Sequence, residues 1–191
     1  MTLDGGKSQG WWTAQSLTKA ACGVVALSLV ACASASATAP TSDARPAVVG
    51  RALPDLQLTP LNGGKGLRMS ELRGKVVLLD VWASWCAPCK QELPMLDDMA
   101  GRLRSKGIEI VAVSIDDSRE DAETFLRSRP RWTMRLAHDP EGKVPGRLQP
   151  PKMPSSYIVD RKGIIRQLNA GFERADAQKI EARLLEMASA K

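Results

Sequence analysis

Residues Val76 to Lys90, VVLLDVWASWCAPCK, constrain this chain more than any other stretch. A near-continuous apolar run reads as a buried strand, followed by a short turn and a helix N-terminus. Cys86 and Cys89 fall at that helix start. Unpaired N–H groups and the positive end of the helix dipole favour an anion there, and can lower a thiol pKa from roughly 8.5 into the range of about 3.5 to 7.5. The C-x-x-C spacing also lets the second thiol reach the first, so the pair can cycle between dithiol and disulfide.

A chain of 191 residues, 43% hydrophobic and 25% charged, suits one compact domain plus a flanking segment. The formal net charge of +6 is spread along the sequence without an aromatic-interleaved basic surface, which argues against nucleic acid. It fits a solubility feature or a weak attraction to anionic lipid.

Lys19 precedes AACGVVALSLVAC, about a dozen apolar residues, short for a bilayer span and right for a signal-peptide core. The small, polar ASASATAPTSDARP that follows reads as a linker. Leu29-Val30-Ala31-Cys32 resembles a bacterial lipobox, which implies cleavage before Cys32 and a lipid on its thiol. The expected division is a lipoprotein-type signal peptide over 1–31, a flexible linker over 32–47 and a folded domain over 48–191. Ordinary cleavage after Ala37 is the alternative, and would leave a soluble periplasmic protein.

With Cys22 in the leader and Cys32 assigned to lipid, only Cys86 and Cys89 remain in the folded domain. In an exported protein, a lone close pair points to redox chemistry more than to stapling. A zinc site would need two further ligands, and the domain offers only His138; haem attachment would need a histidine where Lys90 stands. No metal is expected, and no cofactor beyond the redox-active Cys86–Cys89 disulfide.

Leu56, Leu58 and Leu61 alternate before Asn62-Gly63-Gly64, predicting a short hairpin, and Ser70 to Gly74 reads as one capped turn. The helix after Cys89 is predicted through about Lys106, kinked by Pro94 and stopped by Gly107. Ile108 to Ile115 reads as an interior parallel strand, then a helix runs from Ser118 to about Arg129, with Ser118 and Asp121 as a capping pair. A short strand is predicted over Trp132 to Ala137, and at most a broken helical turn over Asp139 to Gln149. A hairpin spans Ser155 to Asn169, and a helix from about Ala175 to Ala188 closes the chain. Alternating helices and strands ending in a hairpin and helix give an α/β sandwich.

WASWCAPCK, the proline five residues after the second cysteine, the strand ending in DD, MPSSYIVDRKG and the closing helix resemble a thioredoxin-fold protein. The leading hairpin, Glu92 in CKQELP and the insertion before Met153-Pro154 resemble the TlpA/ResA-like branch, membrane-tethered thiol-disulfide oxidoreductases of the bacterial envelope. The resemblance covers about residues 48 to 190. It implies a thioredoxin fold, a central mixed sheet flanked by helices, with an N-terminal β-hairpin and a central insertion.

The resemblance also implies roles. Cys86 would be the nucleophile with its sulfur exposed, and Cys89 the inward-turned resolving thiol. Glu92 and Asp80 would be a coupled acid pair serving Cys89. Asp80 lies among apolar neighbours that should raise its pKa, and Ala112 stands where thioredoxin has a lysine to offset it. Pro154 would be a cis-proline facing the active site, exposing the Met153 backbone to an extended client. Trp85, Ala87, Pro88, Met153 and Pro154 would contact the client, whereas Trp82 and His138 read as packing and loop or structural residues. Implied partners are oxidised exported proteins, cytochrome c apoproteins among them, and a membrane electron donor of the DsbD/CcdA kind. A dithiol oxidase or isomerase and a non-catalytic peptide-binding module are the alternatives. A peroxidase reading lacks a P-x-x-x-T-x-x-C loop.

Overall fold

The computed structural model describes residues 49–190; the predicted leader, Cys32 and the whole of the predicted linker lie outside them. Seven strands form one mixed sheet. In chain order they are β1 (Gln57–Pro60), β2 (Leu67–Arg68), β3 (Val76–Trp82), β4 (Ile108–Ser114), β5 (Arg135–His138), β6 (Ser155–Val159) and β7 (Ile165–Ala170). Helices α1 (Ala87–Leu103), α2 (Arg119–Leu126), α3 (Lys143–Leu148) and α4 (Asp176–Ser189) connect or close them.

Spatially the order is β2-β1-β5-β4-β3-β6-β7, with β3, β4 and β5 parallel and the rest antiparallel. The crossovers β3-α1-β4 and β4-α2-β5 step in the same direction. Right-handed connections therefore put α1 and α2 on one face. Their buried side chains join α4 and the even-numbered residues of β3, Val76, Leu78 and Trp82, in one apolar cluster. Val77, Leu79 and Val81 face the other layer, made by Leu53, Leu56, Leu58 and α3 residues Val144 and Leu148. β3 is buried along its whole length, as its composition predicts.

Several local expectations change. The turn at Ser70 is a 3₁₀ turn over Met69–Leu72 that Ser70 does not cap; the Asp55 carboxylate accepts the Ser70 N–H at 2.9 Å instead. Ser118 caps α2 through the Glu120 N–H, and that helix ends at Leu126, three residues early. His138 is the last residue of β5 and is buried, rather than lying in a loop. The broken turn expected over 139–149 contains α3. Pro145 falls in its first turn, where a missing N–H is harmless, and buried Asp139 accepts the Val144 N–H at 2.6 Å. α1 itself ends at Leu103, and a 3₁₀ turn over Arg104–Lys106 carries the chain to the predicted stop, Gly107, which takes a left-handed φ of 77°.

Buried Asp97 of α1 ties the helix to the segment entering β5, accepting the Thr133 N–H (2.6 Å), the Thr133 hydroxyl (3.0 Å) and the Met134 N–H (2.9 Å). Asp97→Ala strands these donors and is expected to destabilise the fold by about 2–4 kcal/mol in urea unfolding, while the thiols still cycle normally in the remaining folded protein.

Candidate active site

β3 is where the strand order reverses, with β4 on one side and β6 on the other, and the crevice at such a switch point receives ligands in open α/β sheets. From Trp82 the chain turns through Ala83, Ser84 and Trp85 to Cys86. Asp116, just beyond β4, holds this turn. Its two oxygens each accept the Ser84 N–H at 3.0 Å, and it also takes the Ser84 and Ser114 hydroxyls at 2.7 Å. Its own N–H donates to the Ser114 hydroxyl, and its carbonyl accepts from Nε2 of His138 at 2.8 Å. Asp116 enters the sequence reading only as the first residue of the DD that ends its strand, and Ser84 and Ser114 are given no role there. The available signal was a carboxylate two residues after a serine, just beyond an apolar strand parallel to the one that leads to the cysteines.

Cys86 is the N-cap of α1, extended at φ −85° and ψ 102°, and its Sγ accepts the Cys89 N–H at 3.3 Å. Pro88 lies in the first turn. Cys86 and Cys89 are joined as a disulfide with Cα atoms 5.3 Å apart. The sulfur of Cys86 is less open than expected: the residue is 5% exposed, against 0% for Cys89. The accessible surface belongs to its neighbours, since Trp85 is 65% exposed and Ala87 and Pro88 are also exposed.

Met153-Pro154 is a cis peptide. Because Ser155 opposes Val81 in the antiparallel β3–β6 pair, Pro154 enters the sheet at the end where the chain leaves for Cys86. The C-terminal end of antiparallel β7 returns there too, with Gly171 N–H donating to the Pro154 carbonyl. Met153 is half-buried beside it. Trp82 is fully buried and packs on Phe125 with ring centroids 5.5 Å apart, as a packing residue should.

Beneath the disulfide lie two acids. Asp80 shares the α1-facing side of β3 with Leu78 and Trp82, and Glu92 is one turn beyond Cys89 on α1. They are 0% and 1% exposed. Both Asp80 oxygens and Oε2 of Glu92 lack a hydrogen-bond partner among the described residues. Ala112 stands opposite Asp80, so β4 offers no counter-charge. Burial pushes Asp80 up to about 8. Burial, then the charges of Asp80 and Asp176, push Glu92 up to about 10. Interacting acids titrate as a pair, and this pair carries protons at neutral pH.

Raised folded-state values mean that the native chain binds more protons than the unfolded chain above about pH 4. The stabilisation is therefore complete below that pH and is lost as pH rises towards about 8 and 10. Unfolding free energies of the disulfide form, measured from pH 5 to 9, should fall more steeply for the native chain than for the Asp80→Asn, Glu92→Gln double variant. The excess should reach about 1.4 kcal/mol per pH unit for each acid. Equal slopes would mean that these carboxyls are not held neutral by the fold.

The AhpC/TSA family model matches residues 49–168. Thiol-disulfide oxidoreductase ResA of Oceanobacillus iheyensis is 35% identical over 126 residues, 64% of this chain and 65% of its own length, so the match leaves about a third of that relative uncovered. Among solved structures, a candidate thiol:disulfide interchange protein DsbE from Chlorobium tepidum superposes with a TM-score of 0.70 at 34% identity, covering 75% of this chain and 99% of that one. The exposed lipoprotein thioredoxin Etrx1 of Streptococcus pneumoniae superposes with a TM-score of 0.59 at 27% identity, covering 69% and 98%. A C-x-x-C disulfide at a helix N-terminus on a thioredoxin-like sheet agrees with all three, and the chain belongs to the AhpC/TSA family as a thioredoxin-like, ResA-like thiol-disulfide oxidoreductase.

Proposed function

We propose that this chain is a protein-disulfide reductase of the bacterial envelope, tethered through a lipid on Cys32 and acting on oxidised exported proteins. The reading rests on one observation above all: the Cys86–Cys89 disulfide has a helix N-terminus on one side and two unpaired buried acids on the other. In the reduced protein the Cys86 thiolate attacks a client disulfide, forming a mixed disulfide and releasing one client thiolate. Cys89 then attacks the Cys86 sulfur, re-forming the internal disulfide and releasing the second client thiol. The client gains two electrons and this chain loses two. As Cys89 attacks, its proton passes to the ionised fraction of the Asp80–Glu92 pair, which grows as pH rises towards about 8. Trp85, Ala87, Pro88 and Met153 present the client-facing rim, with Pro154 behind them.

Two features support the reducing direction. Cys86 Sγ accepts from an N–H of its own helix, and among the described residues no cation is hydrogen-bonded to it, which argues against the extra thiolate stabilisation that makes a strong oxidant. The acids under Cys89 oppose a second thiolate. Resemblance adds apocytochromes c as clients and a membrane donor of the DsbD/CcdA kind that restores the dithiol. The lipoprotein description of Etrx1 is in keeping with the Cys32 tether.

The test is the equilibrium reduction potential of the Cys86–Cys89 pair. A value near or below about −270 mV supports the reductase, whereas one near about −120 mV makes the chain an oxidant. Asp80→Asn and Glu92→Gln should each slow release of a trapped client by roughly 10²-fold near neutral pH, with the first attack by Cys86 unchanged in stopped-flow kinetics.

A further inference from the structure

The sheet register sets a polar row beside the buried acid. Asp80 of β3 stands opposite Ser156 of β6, and Ser156 stands opposite Asn169 of β7. Directly opposed residues project from the same face, with Cβ atoms about 4.5–5.5 Å apart. The row has a direction. Nε2 of Gln167 donates to Oδ1 of Asn169 at 2.6 Å, which turns Nδ2 of Asn169 towards Ser156, whose hydroxyl oxygen it reaches at 3.0 Å. Ser156 is 2% exposed. A hydroxyl has one proton to give, and with its oxygen already accepting from Asn169 that proton is uncommitted, while neither oxygen of the facing Asp80 yet has a hydrogen-bond partner among the described residues.

We propose that Ser156, oriented by Asn169, donates a hydrogen bond to the Asp80 carboxylate when Asp80 is ionised, and so sets the pH at which Asp80 can take the proton of Cys89. The inference rests on Asp80 serving Cys89. Ser156 and Asn169 are positioning residues, since neither touches a thiol. The titratable group shown to interact with Asp80 is Glu92 from α1, with Asp176 at the start of α4 acting on Glu92, and Cys89 lies one turn before Glu92 on the same helix. β4 contributes uncharged Ala112, and Lys90 of α1 sits exposed over Phe125. No cation in this set does what the Ser156 hydroxyl does, which is to favour the charged form of Asp80.

The test uses the full-length chain carrying Cys22→Ala and Cys32→Ala, reduced and mixed with 5,5′-dithiobis(2-nitrobenzoate) in a stopped-flow instrument. Attack by Cys86 releases one nitrothiobenzoate, and resolution by Cys89 releases the second, which passes two electrons in total from the dithiol to the reagent. The pH profile of the second phase is the readout. Loss of a hydrogen bond to the ionised form raises the Asp80 pKa, so Ser156→Ala should move the midpoint up by about one pH unit. Asn169→Leu should move it the same way by less, and Ser156→Thr, which keeps the hydroxyl, should restore the original midpoint. In an Asp80→Asn background, Ser156→Ala should add nothing.

If Asp80→Asn moves the midpoint but Ser156→Ala and Asn169→Leu do not, this inference is overturned alone. An equal Ser156→Ala shift with and without Asp80 also overturns it. If Asp80→Asn leaves the profile unchanged, the role of Asp80 itself falls, and this inference with it. Should Ser156→Ala fail to fold, Asn169→Leu against Ser156→Thr decides the question.

Discussion

The costliest interaction in this domain is the removal of Asp80 and Glu92 from water without a cation. The other buried carboxylates are treated differently. Glu109 is as buried, and burial pushes its pKa up, yet the Lys75 hydrogen bond and the charges of Arg135, Lys75 and Arg104 more than offset that and hold it below the usual range. Asp97 is satisfied by Thr133 and Met134, Asp116 by Ser84 and Ser114, and Asp139 by the Val144 N–H. The fold can evidently pair a buried acid, and leaves two with unpaired oxygens under the cysteines. Unpaired burial favours the neutral acid and moves the titration of Asp80 and Glu92 out of the ordinary carboxylate range towards that of a thiol.

The strand pairing decides why this happens at the disulfide. β3 delivers Asp80 inward and, four residues beyond its end, Cys86 outward; β4, in parallel register, brings Asp116 to the same end. The Asp116 carboxylate fixes the turn between them through the Ser84 N–H and hydroxyl, so the helix start is held from the sheet and not only by its own hydrogen bonds. Helical geometry then separates the two sulfurs. Cys86, at the cap, accepts a helix N–H on its sulfur and keeps 5% of its surface exposed, while Cys89, further into the helix, is fully buried one turn before Glu92. The two thiols share a chemistry and differ in environment, and the proposed division into an attacking and a resolving thiol rests on that difference.

Much of this could be read from sequence, because burial and spacing are local signals. The apolar run before Cys86, the β-branched strand at Ile108, the glycine stop at Gly107 and the hairpin at Asp160-Gly163 all act within a few residues. What could not be read depends on partners distant in sequence. Asp55 serves Ser70 across fifteen positions, and Asp116 serves Ser84 across thirty-two. Pro145 made the region after Asp139 look broken because a proline is harmful in a helix interior and harmless in a first turn, and only the true start of α3 distinguishes the two. The near-complete cover of Cys86 was likewise hidden, since it depends on packing around the cap and not on the cap itself.

Proton balance ties these elements to the direction of electron flow. When Cys89 resolves a mixed disulfide, its proton must leave, because the thiolate is the form that attacks. A carboxylate with an ordinary pKa would accept that proton weakly, whereas one raised towards the range of a thiol shares it nearly evenly, the condition under which transfer in both directions is fast. The same acids then return a proton when an electron donor opens the Cys86–Cys89 disulfide. Cys86 has the opposite need, to remain ionised, and it is placed at the helix N-terminus with Cys89 between it and Glu92 in sequence. Burying a cation with Asp80 and Glu92 would lower their pKa values and stabilise the fold, but would leave Cys89 without a matched base. The unpaired burial is thus the part of the structure that stability alone would not select.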